Sequence, residues 1–172
     1  MSFVAEDGSG VSNANSLAAV AAADTYFADR GSAEWSALDA AAKQVALIKA
    51  TDFIERVYWR SFRGIRKTTG QALSWPRSDV YFGGDATRPV ADDAVPDGVL
   101  QATFELALRS TTTTLMPDEA TESGSVIREK VGDLEVEYGR GQHRSQPLFR
   151  EVAIALVPYL LSAPGVVRLV RS

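Results

Sequence analysis

The sequence predicts a mainly α fold, a small bundle of about four helices carrying one β-hairpin, with extended arms at both ends. Three observations carry that reading. Apolar residues recur at helical spacing from Leu38 to Tyr58, and a second such run follows Pro96. Between Ser125 and Gly139 the period changes to alternation about a Gly-Asp turn. With 172 residues, 45% apolar and 23% charged, the chain has the size and balance of one globular domain. The expected division is a helical domain over 1–161, a hairpin insertion at about 125–139, and an extended tail over 162–172.

The first dozen residues are punctuated by Gly, Ser and Asn and read as an extended arm. Asn13 to Ser16 offer N-caps for a helix from about Leu17 to Arg30, which Gly31 ends. A short linker with Trp35 follows. In the helix from Leu38 to Tyr58, Leu47, Ala50, Ile54 and Val57, with Ala46 and Phe53, form a dry stripe. Lys49, Asp52, Glu55 and Arg56 form the wet one, and Asp39 suits the dipole of the first turn. Val45 and Ile48 fall on the charged side. They need cover from this chain or from a neighbouring copy.

Residues 56–67, RVYWRSFRGIRK, hold five cations and no acid, with rings between them. Rings among cations grip single-stranded nucleic acid, which makes Trp59, Arg60, Phe62, Arg63, Arg66 and Lys67 candidate contacts. The competing reading is that the rings close the core at a helix end while the arginines face water. QALSWPR, residues 71–77, is a short element stopped by Pro76, with Trp75 as a core anchor. Residues 78–95 form a loop. Its Asp92-Asp93 pair lacks the further ligands that a calcium site needs and is expected to be solvated. Pro96 then opens a helix at its first position. Val99, Leu100, Phe104, Leu106, Ala107 and Leu108 cover more than half its circumference, as a central core helix requires. The run Thr111–Thr114 weakens its end.

In the hairpin, Gly132-Asp133 suits a type II′ turn. That pairs Val131 with Leu134, Lys130 with Glu135, Glu129 with Val136, Arg128 with Glu137 and Ile127 with Tyr138. The Arg128–Glu137 and Lys130–Glu135 pairs are worth up to about 1 kcal/mol each, and fix the register. An isolated hairpin is barely stable, so this one is expected to lie on the body or on a neighbour. Pro147 opens a last helix whose apolar residues run all the way round between Val152 and Val157, so burial on every side is expected. The tail, with Val166, Val167, Leu169 and Val170 among Arg168 and Arg171, has the character of a strand seeking an edge.

Recognisable catalytic chemistry is missing. The chain has no cysteine and one histidine, His143, so a transition-metal site has no ligand set. No nucleophile elbow is present, and GRGQ at 139–142 lacks the lysine of a phosphate loop. A non-enzyme without cofactor or metal is expected. The first residues carry acids where a secretory signal is basic, and the longest apolar run, Val152–Leu161, is broken by Pro158 and is shorter than the roughly 20 residues of a membrane span. These features suit a soluble cytosolic product. Within the net charge of −4, residues 140–172 carry five arginines against Glu151, a net of +4, leaving −8 on the remainder. An acidic body disfavours general binding to phosphate backbones, and a basic end suits an acidic partner.

Taken in order, VAEDGSG, NANS, SAEWSALD, KATDFIE, QALSWPR, VPDGVLQATFELALR and EKVGDLEVEY resemble a family over roughly residues 3–161. It is the group of phage proteins labelled DnaT-like single-stranded-DNA-binding protein, which is similar to the head–tail adaptor (connector, head completion) proteins of tailed phages. The resemblance implies a small helical protein, soluble in the host cytoplasm. About twelve copies would assemble as a ring under the portal vertex of the virion. The ring would let packaged double-stranded DNA pass without sequence-specific binding and would dock the next tail-side adaptor or stopper protein; a tail-completion ring is a further alternative. Adaptors of this type grip the portal with a C-terminal segment, which here gives Val166, Val167, Arg168, Leu169, Val170 and Arg171 as portal-binding candidates. Arg128, Lys130, Glu135 and Glu137 of the hairpin, with Val45 and Ile48, are candidates for contact with neighbouring subunits.

Overall fold

The structure, a computed structural model, describes residues 2–116 and 149–161, together with the backbone of 128–131 and 134–137. The chain divides into two units, Met1–Leu115 with Phe149–Ser172, and Met116–Leu148. The first is helical. It contains α1 (Val20–Ala28), α2 (Ala33–Ser36), α3 (Ala40–Tyr58), a two-residue ribbon of β1 (Ile65–Arg66) and β2 (Arg77–Ser78), α4 (Asp97–Ser110) and α5 (Arg150–Leu156). Short 3₁₀ turns occupy Phe82–Gly84 and Val157–Tyr159. The second unit contains a hairpin of β3 (Arg128–Val131) and β4 (Leu134–Glu137).

α4 is the middle of the bundle and packs on both α3 and α5. Its Val99, Ala102, Phe104, Leu106 and Ala107 are buried, as the apolar run predicts. Pro96 serves as its N-cap residue rather than its first helical one, and Asp97 supplies the carboxylate of the first turn. Gly98 is required by the packing: a Cβ there would lie 2.6 Å from the Ala155 carbonyl oxygen.

α3 has the dry stripe expected of it, with Ala46, Leu47, Ala50, Phe53 and Ile54 buried. Asp39 is its N-cap and accepts the Ala42 N–H at 2.7 Å, one residue outside the helix. One assignment on this helix changes. Glu55 does not face water; its carboxylate turns into the fold and accepts both the N–H and the hydroxyl of Ser74, at 2.9 and 2.7 Å. Val45 is exposed, whereas Ile48 is half-buried.

The amino-terminal arm is pinned rather than loose. The Glu6 carboxylate accepts the backbone N–H groups of Gly8, Gly10 and Val11, each at 2.9 Å. Asn15 accepts from Val4 N–H at 2.8 Å, and the Leu17 N–H donates to the Thr51 hydroxyl on α3 at 2.9 Å. The Asn and Ser residues expected to cap a helix therefore hold the arm, and α1 starts only at Val20, with no side-chain cap.

The last helix is shorter than expected and is not dry all round. Val152, Ala153 and Leu156 are buried, but Ile154 and Val157 are 65% and 41% exposed. Its length explains the difference: two turns against α4 bury one face, and no other described element covers the opposite face. The hairpin backbone has the expected register, Arg128 opposite Glu137, Glu129 opposite Val136, Lys130 opposite Glu135 and Val131 opposite Leu134. Ile127, Tyr138, the Gly132-Asp133 turn, Pro147, His143, the 139–142 stretch and the tail from 162 to 172 lie outside the described residues, as do the side chains of Arg128, Lys130, Glu135 and Glu137.

Candidate functional site

Two regions at opposite ends of α3 carry the chemistry that the described residues offer. At its C-terminal end, residues 59–67 turn back along the chain and pair with the segment after α5. Arg63 N–H donates to the Tyr159 carbonyl at 2.9 Å, and Leu161 N–H to the Ser61 carbonyl at 2.7 Å. This ledge exposes Trp59 (50%), Ile65 (63%) and Leu161 (61%) beside Arg60 and Arg66. The Arg60 guanidinium lies 4.9 Å from the Trp59 ring centroid, a cation–π contact.

QALSWPR is the scaffold of that ledge. Arg77 is buried and donates to the carbonyls of Arg63 (2.7 Å), Gly64 (2.6 Å), Ser74 (3.1 Å) and Phe62 (3.5 Å). Gln71 is buried as well; its amide N donates to Leu73 and Pro76 carbonyls, and its amide O accepts the Thr68 N–H at 2.8 Å. Trp75 is fully buried as the expected anchor, edge-on to Phe62 and Tyr159. Gly64, with φ +68°, meets the Ser78 carbonyl so closely that a Cβ would sit 2.1 Å from it. Burial pushes the Glu55 carboxyl above its ordinary range, against the pull of the Ser74 hydrogen bonds and the nearby Arg66 and Arg77 charges. Burial likewise works against the Arg77 charge, and Glu55 supports it.

Of the residues singled out as nucleic-acid contacts, the structure brings Trp59, Arg60 and Arg66 to the surface of the ledge and leaves Arg63 half-buried. Lys67 reaches Asp92 at 4.0 Å. Phe62 is a correction: it is 2% exposed and packs on Trp75, so it has no face to offer a base. Tyr58 is also buried, leaving Trp59 as the one exposed ring of the 56–67 stretch. Asp92 and Asp93 are exposed, and no group of three potential metal ligands occurs among the described residues.

At the N-terminal end of α3 lies a cleft of about 450 Å³, which sequence reasoning missed. Its lining includes Asp24, Phe27, Trp35, Ser36 and Lys43. Phe27 and Trp35 are stacked with centroids 4.7 Å apart. Asp24 accepts from the Trp35 indole N–H at 2.7 Å and from the Lys43 ammonium at 2.9 Å. The Lys43 partner holds the Asp24 carboxyl below its ordinary value, against partial burial. Asp29, Arg30, Glu34 and Asp39, in the segments that flank the lining residues, are exposed. The linker with Trp35 is the short helix α2, and an aromatic in so polar a segment was the only signal of a cleft.

Asp24→Asn is expected to destabilise the first unit by about 1 kcal/mol at neutral pH, the charge-assisted bond being partly screened by solvent. The folded pKa of Asp24 lies below the unfolded 3.8, so its contribution is present above that value and is lost as pH falls through the folded one. Urea unfolding at pH 7 and pH 3 should show the difference between wild type and variant disappearing in acid.

No curated protein and no solved structure matches the chain. A family model does match, over residues 1–172, under the description "Putative DnaT-like ssDNA binding protein". Covered along its whole length, the chain belongs to this DnaT-like family.

Proposed function

We propose that the chain is a structural protein of a tailed-phage virion, a head–tail adaptor. Its copies form a ring, dodecameric by resemblance, between the portal and the next tail-side adaptor or stopper protein. The ring extends the channel through which packaged DNA slides. The observation that carries this reading is the set of large apolar side chains left uncovered on one compact unit. Ile154, Val157 and Leu161 lie within eight residues of each other, with Val45, Trp59 and Ile65 elsewhere on the same unit. A contiguous apolar patch marks protein–protein contact, and Ile154, Val157 and Leu161 are the candidate for one. The acidic body suits a channel wall that DNA must not stick to.

The portal contact is assigned to the C-terminal segment. Deleting residues 163–172 is expected to leave the circular dichroism and thermal midpoint of the protein unchanged while abolishing co-sedimentation with portal particles. Truncated protein that still co-sediments would count against that assignment.

The family description favours a second reading, single-stranded DNA binding through the ledge. Five cations without an acid over 56–67, and the exposed Trp59–Arg60 pair, support it. Against it stands the inward-facing Phe62, since a stacking platform needs rings for successive bases. Anisotropy of a labelled oligonucleotide at two salt concentrations separates the readings. The adaptor reading expects weak binding, little altered by Arg60→Glu with Arg66→Glu. Tight, steeply salt-dependent binding lost in that variant would assign the ledge to nucleic acid.

A further inference from the structure

The β3–β4 hairpin is a two-stranded sheet, and neither strand has a second neighbour among the described residues. An outer strand edge of this kind offers a row of backbone N–H and C=O groups to a further strand. The register sets Arg128 opposite Glu137 and Lys130 opposite Glu135. Residues two apart on a strand share a face, so one face has both cations in β3 and both acids in β4. Glu129, the other charge in these strands, belongs to the opposite face, across from Val136. The two edges of the hairpin are therefore unlike: cations mark one and acids the other.

We propose that hairpins of neighbouring copies pair edge to edge, β4 of one beside β3 of the next, in the register each hairpin uses within itself. Every acid of the ladder then lies between two cations, one from its own hairpin and one from the neighbour. The pairs inside a hairpin do not use up this attraction, because a strand within a sheet has a neighbour on each side and a hairpin strand has one. Joining like edges, β3 to β3 or β4 to β4, sets like charges side by side, which is unfavourable. The charges thus select a heterologous contact with all hairpins pointing the same way, as copies turned about one ring axis require. A two-stranded ribbon is marginal by itself, and the added strands supply the pairing it lacks. The chain's own C-terminal segment is a poorer partner for the acidic edge. Arg168 and Arg171 are three residues apart and fall on opposite faces of a strand, whereas Arg128 and Lys130 are two apart. The proposal rests on the adaptor reading and names the contact between its copies.

The chain has no cysteine, so a single substitution reports one position. Full-length Glu129→Cys and Val136→Cys proteins, one carrying a tag, are mixed with portal particles and treated with a short bis-maleimide. The two positions are opposite each other within a hairpin, but each protein has one cysteine, so a mixed 129–136 product forms only between copies. That product is expected to exceed the 129–129 and 136–136 products by about tenfold. A second arm exchanges the two rows with Arg128→Glu, Lys130→Glu, Glu135→Lys and Glu137→Arg, which keeps both opposed pairs inside the hairpin. Exchanged copies are expected to link with each other as unexchanged copies do. Linkage between an exchanged and an unexchanged copy is expected to fall about tenfold, because every such junction opposes like charges. Linkage indifferent to the exchange overturns the proposal, as does a dominant 129–129 or 136–136 product. So does a Val167→Cys protein that links to position 136 in place of position 129. Copies that co-sediment with the portal and yield no 129–136 product defeat this contact and leave the adaptor reading standing. Copies that neither associate nor bind portal defeat both.

Discussion

Leu156→Asp is expected to unfold the helical unit. Leu156 is wholly buried where α5 packs on α4, so the substitution removes core contacts and leaves a carboxylate with no partner. Loss of the Leu packing alone costs about 2–5 kcal/mol, and burying an unpaired charge adds to it. Against a net stability of about 5–15 kcal/mol for an ordinary domain, that removes most or all of the margin. Circular dichroism and urea unfolding report it, and a variant with a wild-type transition would contradict the placement of α5. Ile154→Asp, two residues away on the uncovered face, is the control: it should shift stability by no more than about 0.5 kcal/mol.

Arg77→Leu is expected to cost about 3–5 kcal/mol, because one guanidinium serves four backbone carbonyls and supports the charge of Glu55. Arg77→Lys should recover only part of the loss, since an ammonium cannot reproduce the planar fork. The cost should also depend on pH. Burial raises the folded pKa of Glu55 above the unfolded 4.5, so its favourable contribution is present below 4.5 and fades as pH rises through the folded value. Removing Arg77 takes away a charge that opposes that rise. The variant should therefore lose more stability at pH 7 than at pH 4, as urea midpoints at the two values would show. Equal losses would mean that Glu55 and Arg77 do not act on each other.

α3 and α4 are legible because a 3.6-residue period sustained over three turns or more leaves one possible face for the core, and Leu47, Ile54, Val99 and Leu106 are buried accordingly. The hairpin register is legible because a two-residue turn with Gly first permits one pairing. Glu55 is not legible because period alone places it on the wet side, whereas Ser74 receives it from nineteen residues away. The hub made by Arg77 depends on carbonyls that its tertiary fold delivers, and no local pattern announces that. The exposed face of the last helix is not legible because composition reports how many apolar residues a segment has, not how many neighbours it finds. Ile154 and Val157 find no cover among the described residues. The nucleic-acid reading of 56–67 rests on rings among cations, and Phe62 turning inward removes one ring from the surface.

The proposed adaptor role requires a chain that is completed by its neighbours. Electron cryomicroscopy of intact particles tests this most directly, by resolving what lies beneath the portal. A ring of this chain is the predicted density. Finished virions that lack the chain, with the protein instead recovered on single-stranded DNA in infected cells, would contradict it.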